Sequence, residues 1–290
     1  LGGIVVNSLI ETEKDPGFLI DIEYSKRQGY FTMPFNHYHS YYELYYLLNG
    51  VRNYFIKDKV YSVTSGDLVL INKYEIHKTS DSTVPHHERL LIYFREEFLY
   101  AGSNEEMDYL LHCFRINKPV IRLQPPEQAI VKDLIHKMHK EQYMKKTGYM
   151  SYLRALLTEL LILANRLLET RDQVLPDANA DKTIHKRISK IVQYINSNYS
   201  DSLSLSSVAN SFYISPYYLS RLFKEVTGFN FTEYLNLVRI REAQNLIQGS
   251  DMKIIDVAQA VGFENVAHFG RVFKHITSLS PTSYRKKHRE

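Results

Sequence analysis

The chain has 290 residues, 44% hydrophobic and 23% charged, a composition that excludes a disordered polypeptide and leaves room for two domains. Its longest apolar run, Leu156 to Leu168, is broken by Thr158, Glu159, Asn165 and Arg166, so it falls short of the ~20 apolar residues that a membrane span requires. The net charge is only +4, but residues 183–290 carry 14 Lys+Arg and 8 Asp+Glu (+6), against 22 and 24 (−2) in residues 1–182; a basic excess in the last third is the footprint of a phosphate-backbone binder.

Leu1-Gly2-Gly3 has no initiator Met and no basic segment before an apolar stretch, so it reads as a scar or trimmed start rather than a signal peptide. Residues 1–102 then read as an all-β domain. Phe18–Tyr24, Tyr41–Leu48, Val51–Ile56, Asp67–Ile71 and Arg89–Phe94 are rich in Tyr, Phe, Val and Ile. Asn49-Gly50, Lys57-Asp58 and Ser65-Gly66 punctuate them. Short strands at this spacing suggest a sandwich or small barrel. His37, His39 and Glu43 share one parity, which points all three to one side of a sheet. Tyr41 and Tyr45 lie on the same strand.

Residues 103–170 change period. Met107, Leu110, Leu111 and Phe114 form one helical stripe, and Ile130, Leu134, Ile135 and Met138 a second. Leu153, Leu156, Leu157, Leu160, Leu161, Ala164, Leu167 and Leu168 form a third. The third is too rich in Leu to face water, so it packs either on the barrel or on another subunit. The one cysteine, Cys113, cannot form an internal disulfide, which suits a reducing cytosol. Residues 171–182 have no apolar period and contain Pro176, and they read as a linker.

The last segment, residues 183–290, reads as all-α and repeats itself. Leu219-Ser-Arg-Leu-Phe-Lys-Glu-Val-Thr-Gly228 returns as Phe269-Gly-Arg-Val-Phe-Lys-His-Ile-Thr-Ser278. A short helix precedes each copy, Leu205–Phe212 and Ile254–Val261, with small Ala209 and Ala258 where a second helix must cross. Ser215-Pro216 and Asn265 are the predicted caps of the second helices. Two helices joined by a short turn form a helix-turn-helix, here over about 203–226 and 252–276. Leu219, Leu222, Phe223 and Phe269, Val272, Phe273 fall on the buried faces. The other faces offer Tyr217, Ser220, Arg221 and Lys224 in one copy, and Val266, Ala267, Gly270, Arg271 and Lys274 in the other. Arg221 and Arg271 suit guanine O6 and N7 or a phosphate, and Lys224 and Lys274 suit phosphate.

These stretches, together with Tyr234–Ala243, Val257–Phe263 and Ser280–Arg285, resemble the DNA-binding domain of AraC/XylS transcription regulators. The resemblance covers about a hundred residues. It implies two helix-turn-helix units joined by a long helix, about Thr232–Gln248, reading successive major grooves of double-stranded DNA. Ser278 departs from the family's usual Gly. Val266, Ala267 and Gly270 offer almost no hydrogen bonds, so base discrimination should rest on Tyr217, Ser220 and Arg221, with Arg271 an anchor.

In the β-domain, His37-x-His39-x3-Glu43-x6-Gly50 followed by Gly66-x10-His77 resembles the two motifs of the cupin barrel, with Asn72 and Tyr74 in place of the second motif's Pro and Gly. In cupin enzymes the matching positions bind a metal, which here would take His37, His39, Glu43 and His77. AraC-type regulators commonly use such a barrel for an organic effector, often a sugar. Tyr-rich, His-lined walls favour that use, through His37, His39, Tyr41, Glu43, Tyr45 and His77. The expected whole is multidomain: a cupin-like barrel (1–102), a helical dimerisation region (103–170), a linker and an all-α DNA-binding domain (183–290). It is expected to be a cytoplasmic homodimer with no cofactor, controlled by a sugar-like effector. The rival readings are a metal-binding cupin, as sensor or as enzyme, and a constitutive DNA binder with a structural barrel.

Overall fold

Short strands in two sheets build the N-terminal half. The computed structural model describes residues 17–29, 38–81, 85–99, 102–170 and 183–289. Its strands are β1 (Ile20–Arg27), β2 (Tyr42–Asn49), β3 (Val51–Ile56), β4 (Lys59–Thr64), β5 (Asp67–Ile71), β6 (His77–Asp81), β7 (His87–Phe94) and β8 (Val120–Arg122). One sheet runs β1-β7-β2-β5-β8 and the other β4-β3-β6. Tyr45 and Leu47 of β2 meet Tyr54, Ile56, Val63, Val69 and Leu91 between the sheets. Tyr42, Leu44 and Tyr46 point the other way, into a cluster shared with helices. The larger sheet is thus covered on both faces, which explains the nearly unbroken apolar sequence of β2.

The expected strands at Val51–Ile56 and Asp67–Ile71 form with those bounds, whereas the first is displaced to Ile20–Arg27. Sequence patterning missed β4, β6 and β8. The sequence of β6 is His-Lys-Thr-Ser-Asp, with no apolar residue, and β8 has three residues. Both are strands because a neighbour supplies the ladder. Gly50, between β2 and β3, has φ 104°, and a Cβ there would lie 2.5 Å from the His86 carbonyl oxygen. Only glycine fits that turn.

Helices α1 (Asn104–Leu110), α2 (His112–Arg115), α3 (Pro125–Met144) and α4 (Tyr149–Thr170) follow. The Leu stripe of α4 is buried against the sheet and the other helices of its own chain, which resolves the choice left open for it. Asn165 sits in this stripe without breaking it. Its Nδ2 donates to the carbonyls of Tyr109, Leu110 and Leu161, tying α4 to the end of α1. Among the described residues no helix is long and apolar enough to cross a membrane.

The chain divides into two compact units, residues 1–56 with 61–178 and residues 57–60 with 179–290; the expected linker, 171–182, lies outside the described residues. The second unit holds α5 (Thr183–Ser197), α6 (Leu205–Ser211), α7 (Pro216–Thr227), α8 (Phe231–Gly249), α9 (Ile254–Ala260), α10 (Val266–Thr277) and α11 (Pro281–Arg289). Two short-helix pairs, α6–α7 and α9–α10, flank the long α8.

Candidate functional site

Both second helices are built as their sequences require. Ser215 accepts a hydrogen bond from the Tyr218 amide at the start of α7, and Asn265 accepts one from the His268 amide at the start of α10. Ala209 and Ala258 are fully buried at the crossings. Gly228 ends α7 with φ 79°, and Ser278 ends α10 with φ 61°. Ser278 therefore keeps the left-handed cap that glycine supplies in the first copy. The repeat also extends further than the paired ten-residue stretches. Thr227 donates to the Phe223 carbonyl and accepts from the Phe229 amide, and Thr277 does the same with Phe273 and Leu279. Tyr234 and Tyr284 then close edge-on against Phe223 and Phe273 at 5.7 and 5.4 Å.

Leu219, Leu222, Phe223, Phe269 and Phe273 are buried, and Val272 is half-buried. Tyr217, Ser220, Arg221 and Lys224 are all exposed on α7. On α10, Ala267, Arg271 and Lys274 are exposed, while Val266 and Gly270 are half-buried. The Arg221 guanidinium lies 5.9 Å from the Tyr218 ring centroid, a cation–π contact that limits its rotamers. Sequence reasoning missed His268 and His275, both exposed on α10. They stand three residues before and four after Arg271, so the same helical spacing would have found them.

In the N-terminal unit, His37 lies outside the described residues. His39, Glu43 and His77 come together in the interior, each with a ligand atom within 4.8 Å of the others. His39 precedes β2 rather than lying on it, yet the expected parity holds. Its Nε2 is 3.1 Å from Glu43 Oε2, and His77 Nε2 is 3.5 Å from the same oxygen. The Tyr54 hydroxyl donates to Glu43 Oε1 at 2.8 Å. Tyr41 stacks on His39 at 4.0 Å. Tyr45 does not reach the cluster. It packs against Tyr54 at 5.3 Å, and burial pushes its phenol up to about 12.

Burial alone would raise the Glu43 carboxyl, but hydrogen bonds from His39 and His77 outweigh it and hold the group well below its usual range. Burial would lower His77, and the Glu43 bond and charge more than offset it. His39 is lowered, burial prevailing over Glu43. A protonated His77 beside an ionised Glu43 is one consistent state. A divalent cation also fits the donor set. His39 Nδ1 and His77 Nδ1 lie 2.8 and 2.7 Å from the carbonyls of Tyr41 and Glu75. A carbonyl only accepts, so Nδ1 carries one hydrogen; a charged ring donates a second from Nε2 to Glu43, whereas a neutral ring leaves an Nε2 lone pair there, which a cation would take in place of that proton.

Comparison with known proteins sets these two sites in one frame. A model described as an AraC-like ligand binding domain matches residues 23–161, and one described as a helix-turn-helix domain matches residues 208–287. The chain belongs to the AraC family of DNA-binding transcription regulators. The HTH-type transcriptional regulator YijO of Escherichia coli is 37% identical over 131 residues, 45% of this chain and 46% of its own. YfiF of Bacillus subtilis is 25% identical over 297 residues, 100% of this chain and 90% of its own. The C-terminal domain of AraT, a response regulator from Geobacillus stearothermophilus, aligns at 31% identity with a TM-score of 0.35, covering 37% of this chain and 88% of that one. The match spans less than half the length of the first curated relatives. The family consists of regulators, not enzymes, which removes the cupin-enzyme alternative.

Membership assigns the N-terminal unit to a ligand-binding domain, and there the sequence reading left out Tyr54, Thr79, Arg52 and Arg89. Arg52 and Tyr54 share a parity on β3, a strand read with its bounds intact. That alternation was the available signal. Thr79 lies on β6, whose polar sequence gave none.

Proposed function

We propose that this protein binds double-stranded DNA through α7 and α10 and regulates transcription in the cytoplasm as a homodimer controlled by a small polar metabolite, such as a sugar, held in the N-terminal unit. The observation that carries DNA binding is the pair of capped helices with equivalent exposed residues: Tyr217, Arg221 and Lys224 on one, Ala267, Arg271 and Lys274 on the other. Two like helices on a basic unit suit a periodic, anionic partner. Mobility shift on the DNA upstream of the protein's own gene tests it. Binding at low salt should fall steeply as salt rises; no shift even at low salt defeats the reading.

The outer face of α4 supports dimerisation. Ala155, Thr158 and Ile162 line a groove there beside Arg154, Glu159 and Arg166. An antiparallel second copy would set Arg166 against the partner's Glu159. An Ile162→Glu variant should sediment as a monomer if that face is used.

The buried His39–Glu43–His77 cluster, with Tyr41 stacked beside it, supports an effector site, since polar groups are seldom built into a core without a use for them. An effector that binds two arrangements of the protein with unequal affinity shifts their equilibrium, and with it DNA affinity, by a reciprocal coupling energy. A second reading, a divalent-metal sensor, is favoured by the two Nε2 atoms that converge on one carboxylate oxygen. Elemental analysis of protein purified without added metal separates the two. Stoichiometric metal lost in a His39/His77 double substitution supports the metal; thermal stabilisation by an organic compound with no metal bound supports the effector.

A further inference from the structure

The interior between the sheets is layered. Along β2, Glu43 pairs with Ile71 and Tyr93, and Tyr45 with Val69 and Leu91; Leu47 then pairs with Arg89. Along β3, running the other way, Ile56 pairs with His77, Tyr54 with Thr79 and Arg52 with Asp81. The Tyr54–Glu43 hydrogen bond and the Tyr45–Tyr54 contact bring the two ladders together. The His39–Glu43–His77 cluster therefore closes one end, a layer containing Tyr45, Tyr54 and Thr79 comes next, and Arg52 and Arg89 lie beyond it.

Both arginines are interior, 1% and 4% exposed, and the Arg89 guanidinium lies 5.7 Å from the centre of the Tyr45 ring. Beneath them are two buried hydroxyls, Tyr45 Oη and Thr79 Oγ1, which have no hydrogen-bond partner among the described residues. Buried polar groups are almost always paired, so an orphaned pair inside a ligand-binding domain marks where a ligand's own polar atoms belong. Asp67, toward the same end, is already held by Arg122 and the Thr64 amide and hydroxyl.

We propose that the effector is an organic acid, with its carboxylate held by Arg52 and Arg89 and its hydroxyls against Tyr45 and Thr79: a sugar acid or hydroxy acid rather than a neutral sugar. This rests on the effector reading above and narrows it. Guanidinium forks match a carboxylate in two-point geometry, which a neutral hydroxyl cannot exploit. Glu43 at the far end gives the ligand a direction. Its carboxylate repels a second anion, so the acid group faces the arginines and the uncharged end faces the histidines.

The test uses the full chain and two matched panels: D-galacturonate, D-glucuronate, D-gluconate and glycerate, against D-galactose, D-glucose, sorbitol and glycerol. Thermal shift and calorimetry read binding, and mobility shift reads the effect on DNA affinity. At least one acid is expected to raise Tm saturably while its neutral counterpart does not. Arg89→Lys and Arg52→Lys keep the buried charge but lose the fork, and should weaken that acid by roughly 30-fold or more. Tyr45→Phe removes a hydroxyl that has no hydrogen-bond partner among the described residues, so it should leave the ligand-free Tm unchanged and weaken the acid several-fold. If neutral sugars bind and acids do not, the acid inference fails and the effector reading stands. If neither panel binds or alters DNA affinity, both fail. If an acid binds equally to all three variants, it sits elsewhere and the inference is overturned.

Discussion

Ser278 and Tyr213 occupy left-handed backbone, at φ 61° and 54°, where the other copy of the repeat has Gly228 and Gly262. A side chain in that conformation costs roughly 1–2 kcal/mol, part of which glycine gives back as unfolded-state entropy. Ser278→Gly is therefore expected to stabilise the C-terminal unit by about 0.5–1 kcal/mol in urea denaturation; a loss of stability would show that the Ser hydroxyl does more than cap. Gly262 allows no exchange in the other direction, because a Cβ there would lie 2.7 Å from the Ser200 carbonyl oxygen. Tyr213 is 94% exposed, so its ring offsets none of its backbone cost within the chain. At the proposed reading surface, Arg221→Ala should relax preference at one base pair by ~1–3 kcal/mol, while Lys274→Ala should weaken every sequence alike. Competition between operator and random duplex measures both, and equal losses for Arg221→Ala would make it a phosphate contact. The sequence marked Ser278 as a departure from the family. That it would hold the glycine geometry regardless depends on Thr277 and Leu279 fixing the turn.

The helix α4 shows how far patterning carries at the scale of one element. Its Leu stripe announced a buried helix, but the surface it would meet depends on residues distant in sequence. Asn165 is the sharpest case. As a sequence position it is a polar interruption; in the fold it donates to carbonyls at the C-terminal end of α1, where the helical ladder runs out. Asn165→Ala should cost about 2–3 kcal/mol by stranding buried carbonyls. Asn165→Asp should cost more near neutral pH, because it sets a carboxylate among acceptors, and should recover in part in acid as the group gains a proton to donate. Urea denaturation at neutral and acid pH checks both, and an Asp variant no worse than Ala would mean that water reaches this corner. The same dependence hid β6 and β4. The sequence of β6 is too polar to announce a strand, and β3 makes it one by pairing with it. Without β6, the layered interior that includes Thr79 could not be assembled from the sequence.

For the molecule as a whole, the DNA-binding half was legible because its signal is repeated and local: caps, buried faces and exposed basic residues recur at fixed spacing. The ligand-binding half was legible only as a fold and a few histidines, since its chemistry arises where β2, β3, β6 and β7 converge. The separate buried clusters of the two units lead to a prediction at this scale. A fragment beginning at residue 179 should fold alone, with helical circular dichroism, and bind random duplex DNA with the salt dependence of the full chain. It should have lost any response to the effector. Cys113 reports on the other half. It is buried, and burial pushes its thiol up to about 12, so a thiol reagent should leave the native chain unlabelled and react only as the N-terminal unit opens. In a urea series, labelling of Cys113 should follow loss of the N-terminal core even where DNA binding persists. Labelling that rose only together with loss of DNA binding, or a fragment that failed to fold, would show that the two units stand or fall as one.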